Sequence, residues 1–376
     1  MSDSALITEL HDVIVVGAGA AGIGISVALT HADITDFIVL DREAPGASFA
    51  KWPAETRFIT PSFPTNSIGM LDLNSVALGT SPAVTLRAEH PTGLEYAAYI
   101  QLLAEFFEVP VSGNTDVLGV EKVDDEFHVR IAEGIIRAKH VIWAAGEFQY
   151  PNLDGIPGAE HCVHTATVES YDELEGDEFI IIGGYESGID AAYHLAKRGK
   201  KVTLFDSGCP WKSETSDPSV ALSTYSMERM EDQAFIDNVE VQPYTKVAAV
   251  QRSGDGFAVA SMDGVLFDCD NAPLFAGGFL GSHQMVAHLF EEREDGFPHL
   301  SDDDESTITP GLFLCGPAVR HGNMSFCFIY KYRQRFAVVA KKIATSLGIP
   351  AEDLEVYREW GMYLDDLSCC GEECVC

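Results

Sequence analysis

The sequence predicts a three-layer α/β fold in which one strand–turn–helix unit occurs twice, once near the amino terminus and once mid-chain. Three observations predict it. Val13-Ile14-Val15-Val16 and Phe179-Ile180-Ile181-Ile182 are continuous apolar runs, the pattern of strands buried on both faces of a parallel sheet. Each run leads straight into a glycine-rich turn and a helix-compatible segment, the first ending near Thr30. Each is then followed by a second apolar run that ends in an acid: Ile34 to Leu40 before Asp41, 24 positions after Gly17, and Lys201 to Phe205 before Asp206, 23 positions after Gly183.

The 376 residues carry 24 Lys and Arg against 58 Asp and Glu, a formal net charge of −34, and 46% of them are hydrophobic. That hydrophobic content excludes a disordered or fibrous chain, and the length suits two or three domains at roughly 100–200 residues each. A negative field of this size repels phosphate backbones and anionic headgroups, so no nucleic acid and no membrane partner is expected; such a surface suits high salt. Val13 to Leu29 is apolar, but it contains Gly17, Gly19, Gly22 and Gly24 and reaches only the short limit for a bilayer span. Met1 to Asp12 contains Asp3, Glu9 and Asp12 and lacks a basic start before an apolar run, so a cytoplasmic location is expected.

In the turn Gly17-Ala18-Gly19-Ala20-Ala21-Gly22, the first glycine permits the tight bend and the second admits a pyrophosphate to the backbone. The third lets the helix pack close on the strand. The helix start then offers free N–H groups and a positive dipole end to phosphate, and Asp41 is placed to accept from a ribose hydroxyl. Gly17, Gly19, Ala20, Ala21, Gly22, Asp41 and Arg42 are therefore candidate dinucleotide-binding residues. The second turn, Gly183-Gly184-Tyr185-Glu186-Ser187-Gly188, has Tyr185 where the middle fingerprint glycine belongs, and its helix has Gly199 at the expected carboxyl cap. Gly183, Gly184, Glu186, Ser187, Gly188 and Asp206 are its candidate binding residues. Asp206 would repel a 2′-phosphate, which favours NADH over NADPH, while Lys200, Lys201 and Lys212 leave NADPH open.

Paired units of this kind resemble the flavoproteins with two dinucleotide-binding domains: thioredoxin-reductase-like enzymes, bacilliredoxin reductases and flavin-containing monooxygenases. Shorter signatures extend the resemblance over most of the chain. Val141 to Gly146 resembles the strand-then-ATG motif, with Ala145 for Thr, and Leu274 to Gly278 resembles its counterpart after the second domain. Gly311 to Gly316 resembles the late flavin-binding strand that precedes a long helix, here expected from Met324 to Leu347. The usual Asp after that strand is Pro317, so the ribityl contact is expected from backbone amides at a helix start.

The resemblance implies an α/β fold of two Rossmann-like dinucleotide-binding domains, the NAD(P) domain inserted into a split FAD domain. Its expected boundaries are 1–158 for the first part of the FAD domain, 159–278 for the inserted domain, 279–366 for the second part and 367–376 for a cysteine-rich tail. It implies an FAD- and NAD(P)H-dependent oxidoreductase, a homodimer, with Trp52, Ala145, Gly146, Gly277, Gly316 and Pro317 also at the cofactors. Flavin carries the redox chemistry in such enzymes while the protein orients it.

Between Glu43 and Pro91, six prolines and few periodic runs predict a long irregular connection. Lys51-Trp52-Pro53 and Arg57 to Asn66 within it suit either a wall around an isoalloxazine ring or a loop packed by its own aromatics. Thr92-Gly93-Leu94-Glu95 has capping-box spacing and predicts a helix to about Phe107. Val117 to Val123 and Phe127 to Ile131 predict a small antiparallel excursion. The acid run Glu291 to Glu305 reads as a solvated face; neither it nor the twelve histidines has metal-ligand spacing, so no metal site is expected. His164-Thr165-Ala166 and Ser187 to Asp190 match the monooxygenase fingerprint in part.

Nine cysteines without an export signal argue against a disulfide framework, and no C-x-x-C follows either glycine turn. Four of the nine, Cys369, Cys370, Cys374 and Cys376, fall in the last eight residues. Such a cluster can pass electrons to a disulfide or bind a soft metal, although Asp365, Asp366, Glu372 and Glu373 should raise its thiol pKa values. Leu367-Ser368-Cys369-Cys370 resembles the terminal vicinal pair of mercuric reductases. The expected reaction is hydride transfer from NAD(P)H to FAD and then to a small-molecule or disulfide acceptor through these four catalytic cysteines. Flavin-dependent monooxygenation and a metal-binding or redox-sensing flavoprotein without turnover are the alternatives. Cys315 and Cys327 read as small buried hydrophobes.

Overall fold

The computed structural model describes residues 6–64, 71–215 and 217–369. β1 (Leu6–Val16) runs through the middle of the first sheet, as the burial of Val13 to Val16 requires. The chain turns through the first glycine motif into α1 (Ala20–His31) and returns as β2 (Phe37–Leu40), parallel to β1 with Val13 beside Phe37. The expected strand start at Ile34 moves to Phe37. Ile34 closes the helix instead, its N–H donating to the Leu29 carbonyl while Asp33 adopts φ 59°. α2 (Gly93–Phe106) begins with the expected capping box: Thr92 Oγ1 accepts from the Glu95 N–H, and Glu95 accepts from the Thr92 N–H at 2.8 Å.

β3 (Gly134–Trp143) lies parallel to β1 on its other side. Its first half pairs antiparallel with Glu126–Ile131, which pairs in turn with Gly119–Val123, giving the expected excursion. Its last three residues take a parallel partner from far along the chain, Leu312–Leu314. The first sheet is thus closed by a strand that arrives only after the second sheet has been built.

That second sheet contains β4 (Glu178–Ile182), followed by α3 (Glu186–Lys197) and β5 (Lys201–Asp206). Its order is Val239–Pro243, β5, β4, Leu274–Phe275, Val163–His164, all parallel, and a three-stranded antiparallel layer (247–269) packs on it through Phe205, Val259 and Phe275. Two connections run side by side between the sheets. Pro151 bridges Phe279, the Asn152 N–H donates to the Gly278 carbonyl at 3.0 Å and the Leu280 N–H to the Tyr150 carbonyl at 2.8 Å.

The long helix expected from Met324 begins later. Met324–Ser325 folds back to pair with Arg320–His321, and Phe328 then caps a short helix, Ile329–Tyr332. A tighter turn at Arg333–Arg335 leads into α4 (Phe336–Leu347), which lies on α1 where Gly24 leaves room for the Phe336 ring. The 43–91 connection is less irregular than expected. It contains short helices at Ala47–Ala50 and Pro82–Leu86, and Asp72, fully buried, accepts from Ser81 Oγ at 2.7 Å and the Ala83 N–H at 3.0 Å. Its Phe49, Trp52 and Phe58 rings pack with Tyr96 of α2; Thr65 and Asn66 lie outside the described residues.

The acid run is only partly a solvated face. Asp304 is 0% exposed, and its carboxylate holds the Arg335 guanidinium, itself 1% exposed, at 3.0 Å and accepts from His321 Nε2 at 2.5 Å.

Candidate functional site

The first glycine turn satisfies the steric demands of a phosphate cradle one residue at a time. Gly17 has φ +104°, and a Cβ there would stand 2.5 Å from the Ala144 carbonyl oxygen. A Cβ on Gly22 would overlap the Gly17 carbonyl oxygen, so α1 can approach β1 this closely only with glycine at that position. Gly19, the amino cap of α1, faces open space and receives no side-chain cap, which leaves the N–H groups of Ala20, Ala21 and Gly22 without a capping partner. Asp41 sits behind the turn: its Oδ2 accepts from the Ala18 N–H at 2.6 Å and its Oδ1 from the Glu43 N–H at 2.8 Å. Burial, outweighing those bonds, raises its carboxyl above the usual carboxylate range. Arg42 beside it is exposed.

Residues distant in sequence complete this site. Gly316, at φ +111°, ends the Leu312–Leu314 strand against α1, where a Cβ would lie 3.2 Å from Ala21 Cβ. Pro317 follows, its carbonyl accepting from Arg320; the next helical turn begins only at Ile329. Gly146, at φ +68°, also faces open space, its carbonyl held by the Ser282 N–H, and Ala145 gives its carbonyl to Gln149. Arg333, buried where the short turn packs near α1, donates through Nη1 to the Asp72 and Ser75 carbonyls, while its Nε has no partner. An open glycine mouth, free helix N–H groups and an orphaned guanidinium donor together fit a dinucleotide with a polar ring system such as FAD.

The second turn has the same backbone and a different mouth. Gly183 has φ +102° with the Ala276 carbonyl 2.6 Å from its Cβ position, and a Cβ on Gly188 would overlap the Gly183 carbonyl. Tyr185 takes nearly the backbone conformation of Gly19, but its hydroxyl reaches across to donate to the Pro218 carbonyl at 2.5 Å. Glu186 is drawn into bonds from the Ser223 N–H and the Ser226 hydroxyl; Ser187 is exposed. Asp206 Oδ2 accepts from the Gly184 N–H at 2.8 Å and Oδ1 from Gly208 and Cys209, so its carboxylate also shapes the turn after β5. Lys200 and Lys201 lie at the opposite end of β5, bonded to Gly176 and Asp237 carbonyls, which leaves Lys212 near the Asp206 end. Gly277 packs against Phe275 and Asn152.

The two cradles meet along a seam of aromatics and polar contacts. Trp52 approaches Phe148 at 6.5 Å between ring centroids, and Phe148 approaches Phe279 at 5.4 Å. His164 donates through Nε2 to the Gly278 carbonyl at 2.9 Å. Lys331 Nζ, 3% exposed, donates to Asp217 Oδ1 at 3.0 Å and Ser219 Oγ at 2.9 Å, and Ser219 Oγ lies 3.1 Å from Cys327 Sγ, which is therefore half-buried in a polar contact, not a small hydrophobe in the core. Cys315 is buried as expected.

Asp190 of α3, buried, joins the two sides: it pairs with Arg229, lies 3.3 Å from His194 Nε2 and accepts from Thr56 Oγ1 at 2.6 Å. Burial alone would raise its carboxyl, but His194, Arg229 and Thr56 together hold it below the usual carboxylate range. Its stabilising contribution is therefore complete above the unfolded-state value of about 3.9 and lost as pH falls through the lower folded value. Asp190→Asn is expected to lower stability at neutral pH and flatten the acid limb of a Tm-against-pH curve; an unchanged acid limb would contradict this assignment.

Of the sequence-predicted residues, the structure brings Gly17, Gly19, Ala20, Ala21, Gly22, Asp41 and Gly316 into one mouth and Gly183, Gly184, Gly188 and Asp206 into another. Cys370, Cys374 and Cys376 lie outside the described residues; Cys369 ends a short turn at Leu367–Cys369. Arg333, Asp190 and Lys331 were not legible as site residues, because their partners come from remote segments. Among the described residues no helix is long and apolar enough to cross a membrane, and no three His, Cys, Asp or Glu side chains gather as a metal site requires.

Two glycine cradles at the ends of parallel strands in two sheets, joined by adjacent connections, define the class: a two-domain FAD and NAD(P) flavoprotein oxidoreductase. Residues 14–316 match the pyridine nucleotide-disulphide oxidoreductase family, and the chain belongs to this family of enzymes. It is 24% identical over 341 residues to bacilliredoxin reductase Bdr of Bacillus subtilis, covering 88% of this chain and 97% of that one. It is 26% identical over 195 residues to the uncharacterized oxidoreductase CzcO of Bacillus velezensis, covering 50% of this chain and 52%, about half, of that relative's length. In fold it is similar to the bacillithiol disulfide reductase Bdr of Staphylococcus aureus, with a TM-score of 0.72 and 17% identity over 90% of this chain and 99% of that one. A flavin-containing monooxygenase from Stenotrophomonas maltophilia has a TM-score of 0.69 and 16% identity over 90% of this chain and 100% of that one.

Proposed function

We propose that the enzyme uses NAD(P)H, with NADH preferred, to reduce a disulfide acceptor through Cys369, Cys370, Cys374 and Cys376. When bound, FAD supplies the two-electron chemistry that couples the nicotinamide to the acceptor. The first cradle, with Gly17, Gly19, Gly22, Asp41 and Gly316, holds it; Trp52, Ala145, Gly146, Gly277 and Pro317 line the approach to the seam, and Arg42 lies beside the ribose end. The second cradle, with Gly183, Gly184, Glu186, Ser187, Gly188 and Asp206, orients the nicotinamide cofactor. Asp206 keeps a carboxylate at the end of β5, which supports NADH over its 2′-phosphorylated form.

The observation that carries the disulfide reading is the setting of the other cysteines, which are buried or half-buried. Burial pushes the Cys162 thiol up to about 12 and Cys269 to about 11, and raises Cys315 well above its ordinary value. Cys209 is buried, and Cys327 spends its thiol on Ser219. That leaves the four tail cysteines as the candidates for the thiol chemistry. Monooxygenation is the second reading, favoured by the absence of a C-x-x-C after either cradle together with the fold likeness to a monooxygenase.

Truncation after Leu367 is expected to abolish turnover with disulfides while anaerobic NADH still bleaches the flavin at the rate of the full chain. Full disulfide turnover by the truncated enzyme would overturn the tail's role. Substrate-stimulated oxygen uptake that survives truncation would favour the monooxygenase. Stoichiometric metal binding or oxidation without turnover would favour a sensor, and a lower KM for NADPH than NADH would overturn the nucleotide preference.

A further inference from the structure

We propose that the protein has a further ligand site, separate from both glycine cradles, which takes a small dicarboxylate. The site is a cavity of about 400 Å³ between the 291–299 hairpin and the 320–325 hairpin. Its walls bring together Arg293, Arg320, His299 and His321 with a single acid, Asp302. In a chain with 58 acids and 24 Lys and Arg, a lining with two arginines and one acid is a surface that can receive an anion.

Arg320 carries the argument furthest. One of its terminal nitrogens donates to the Pro317 and Val319 carbonyls, and its plane lies 4.1 Å from the centroid of the Phe297 ring. Among the described residues no carboxylate stands within ion-pair distance of it. Half-buried, it feels Glu147 and Asp295 without pairing directly with either, and an incoming carboxylate would supply the direct partner. Burial lowers its pKa, against the opposing pull of Glu147 and Asp295.

The other donors are held in place for the same task. Arg293 is fixed by Asp295, at 3.0 Å from Nε and 2.9 Å from Nη2, and by the Gly322 carbonyl at 2.7 Å, which leaves Nη1 unengaged. His321 donates through Nε2 to buried Asp304 and His299 rests on Glu291 at 3.2 Å, so both rings line the cavity already engaged by acids. Arg320 keeps its Nε and Nη2 edge as an open fork for one planar carboxylate, and Arg293 Nη1 offers a separate donor for a second, a donor set that suits a short dicarboxylate better than a point anion. The volume lies in the range of small-molecule sites and exceeds what a halide fills. No residue of either glycine turn lines the cavity.

The test uses the full chain with its flavin, in buffer of constant chloride, titrated calorimetrically with succinate and with its uncharged diamide. Succinate is expected to bind saturably at one site per chain and the diamide not at all. Arg320→Gln should weaken succinate binding by roughly tenfold or more. Arg293→Gln, at a more exposed position, should weaken it in the same direction and guards against a folding defect in the first variant; flavin absorbance and Tm report folding in both. Absence of saturable succinate binding, equal binding of the diamide, or affinity unchanged in both folded variants overturns the proposal.

Discussion

Gly22→Val is expected to yield a colourless, destabilised protein. A Cβ at this position overlaps the Gly17 carbonyl oxygen, and Gly17 cannot retreat. Its N–H is held by the Leu40 carbonyl at 2.8 Å and its open side abuts Ala144. The remaining relief is to push α1 away from β1, but α1 is backed by Phe336 of α4 at Gly24. Overpacking at such a site costs about 3 kcal/mol or more. The displaced helix also carries off the N–H groups that the first cradle presents. The informative contrast is Gly19→Ala, whose Cβ meets nothing within 4 Å and whose backbone is extended at φ −77°. It should fold with a normal Tm yet bind FAD more weakly, because the methyl projects into the mouth. Flavin absorbance and thermal unfolding on the two variants separate packing from binding; full flavin content and an unchanged Tm in Gly22→Val would refute the packing argument.

Asp304→Ala should be the most destabilising change outside the cradles. It leaves the Arg335 guanidinium buried without its carboxylate and removes the acceptor of His321 Nε2. Breaking a buried pair in this way costs about 3–5 kcal/mol, because an uncompensated charge remains. Arg335 also donates to the Asp302 and Leu364 carbonyls, so the loss should loosen the segment leading to Leu367. Replacing both partners, with Asp304→Leu and Arg335→Met together, should recover much of the loss. Denaturant midpoints at fixed salt give the comparison, and an Asp304→Ala midpoint equal to that of the parent would rule the pair out as a structural anchor.

Asp304 also illustrates what could be read from the sequence and what could not. The cradles were legible because much of their constraint is local: Gly22 and Gly188 each answer to the carbonyl of a glycine five residues back, and each acid ends the neighbouring strand. The capping box at Thr92 was legible for the same reason. Asp304 looked like one more surface acid, since its partners stand 17 and 31 positions away and share no periodic pattern with it. The late helix start at Ile329 was hidden because the apolar run from Met324 fits a helix equally well until Arg320–His321 claims its first residues as a strand partner. Arg229 and Lys331 belong to the same class: their meaning comes from tertiary neighbours.

The twin connections at Pro151 and Phe279 decide how the inserted half can travel. A lone strap would let it wobble about any axis, whereas two straps zipped together by Asn152–Gly278 and Tyr150–Leu280 act like the knuckles of a door hinge. Any swing of one half against the other is expected to run as torsion about that shared line and to cost the Thr56–Asp190 and Lys331–Asp217 contacts.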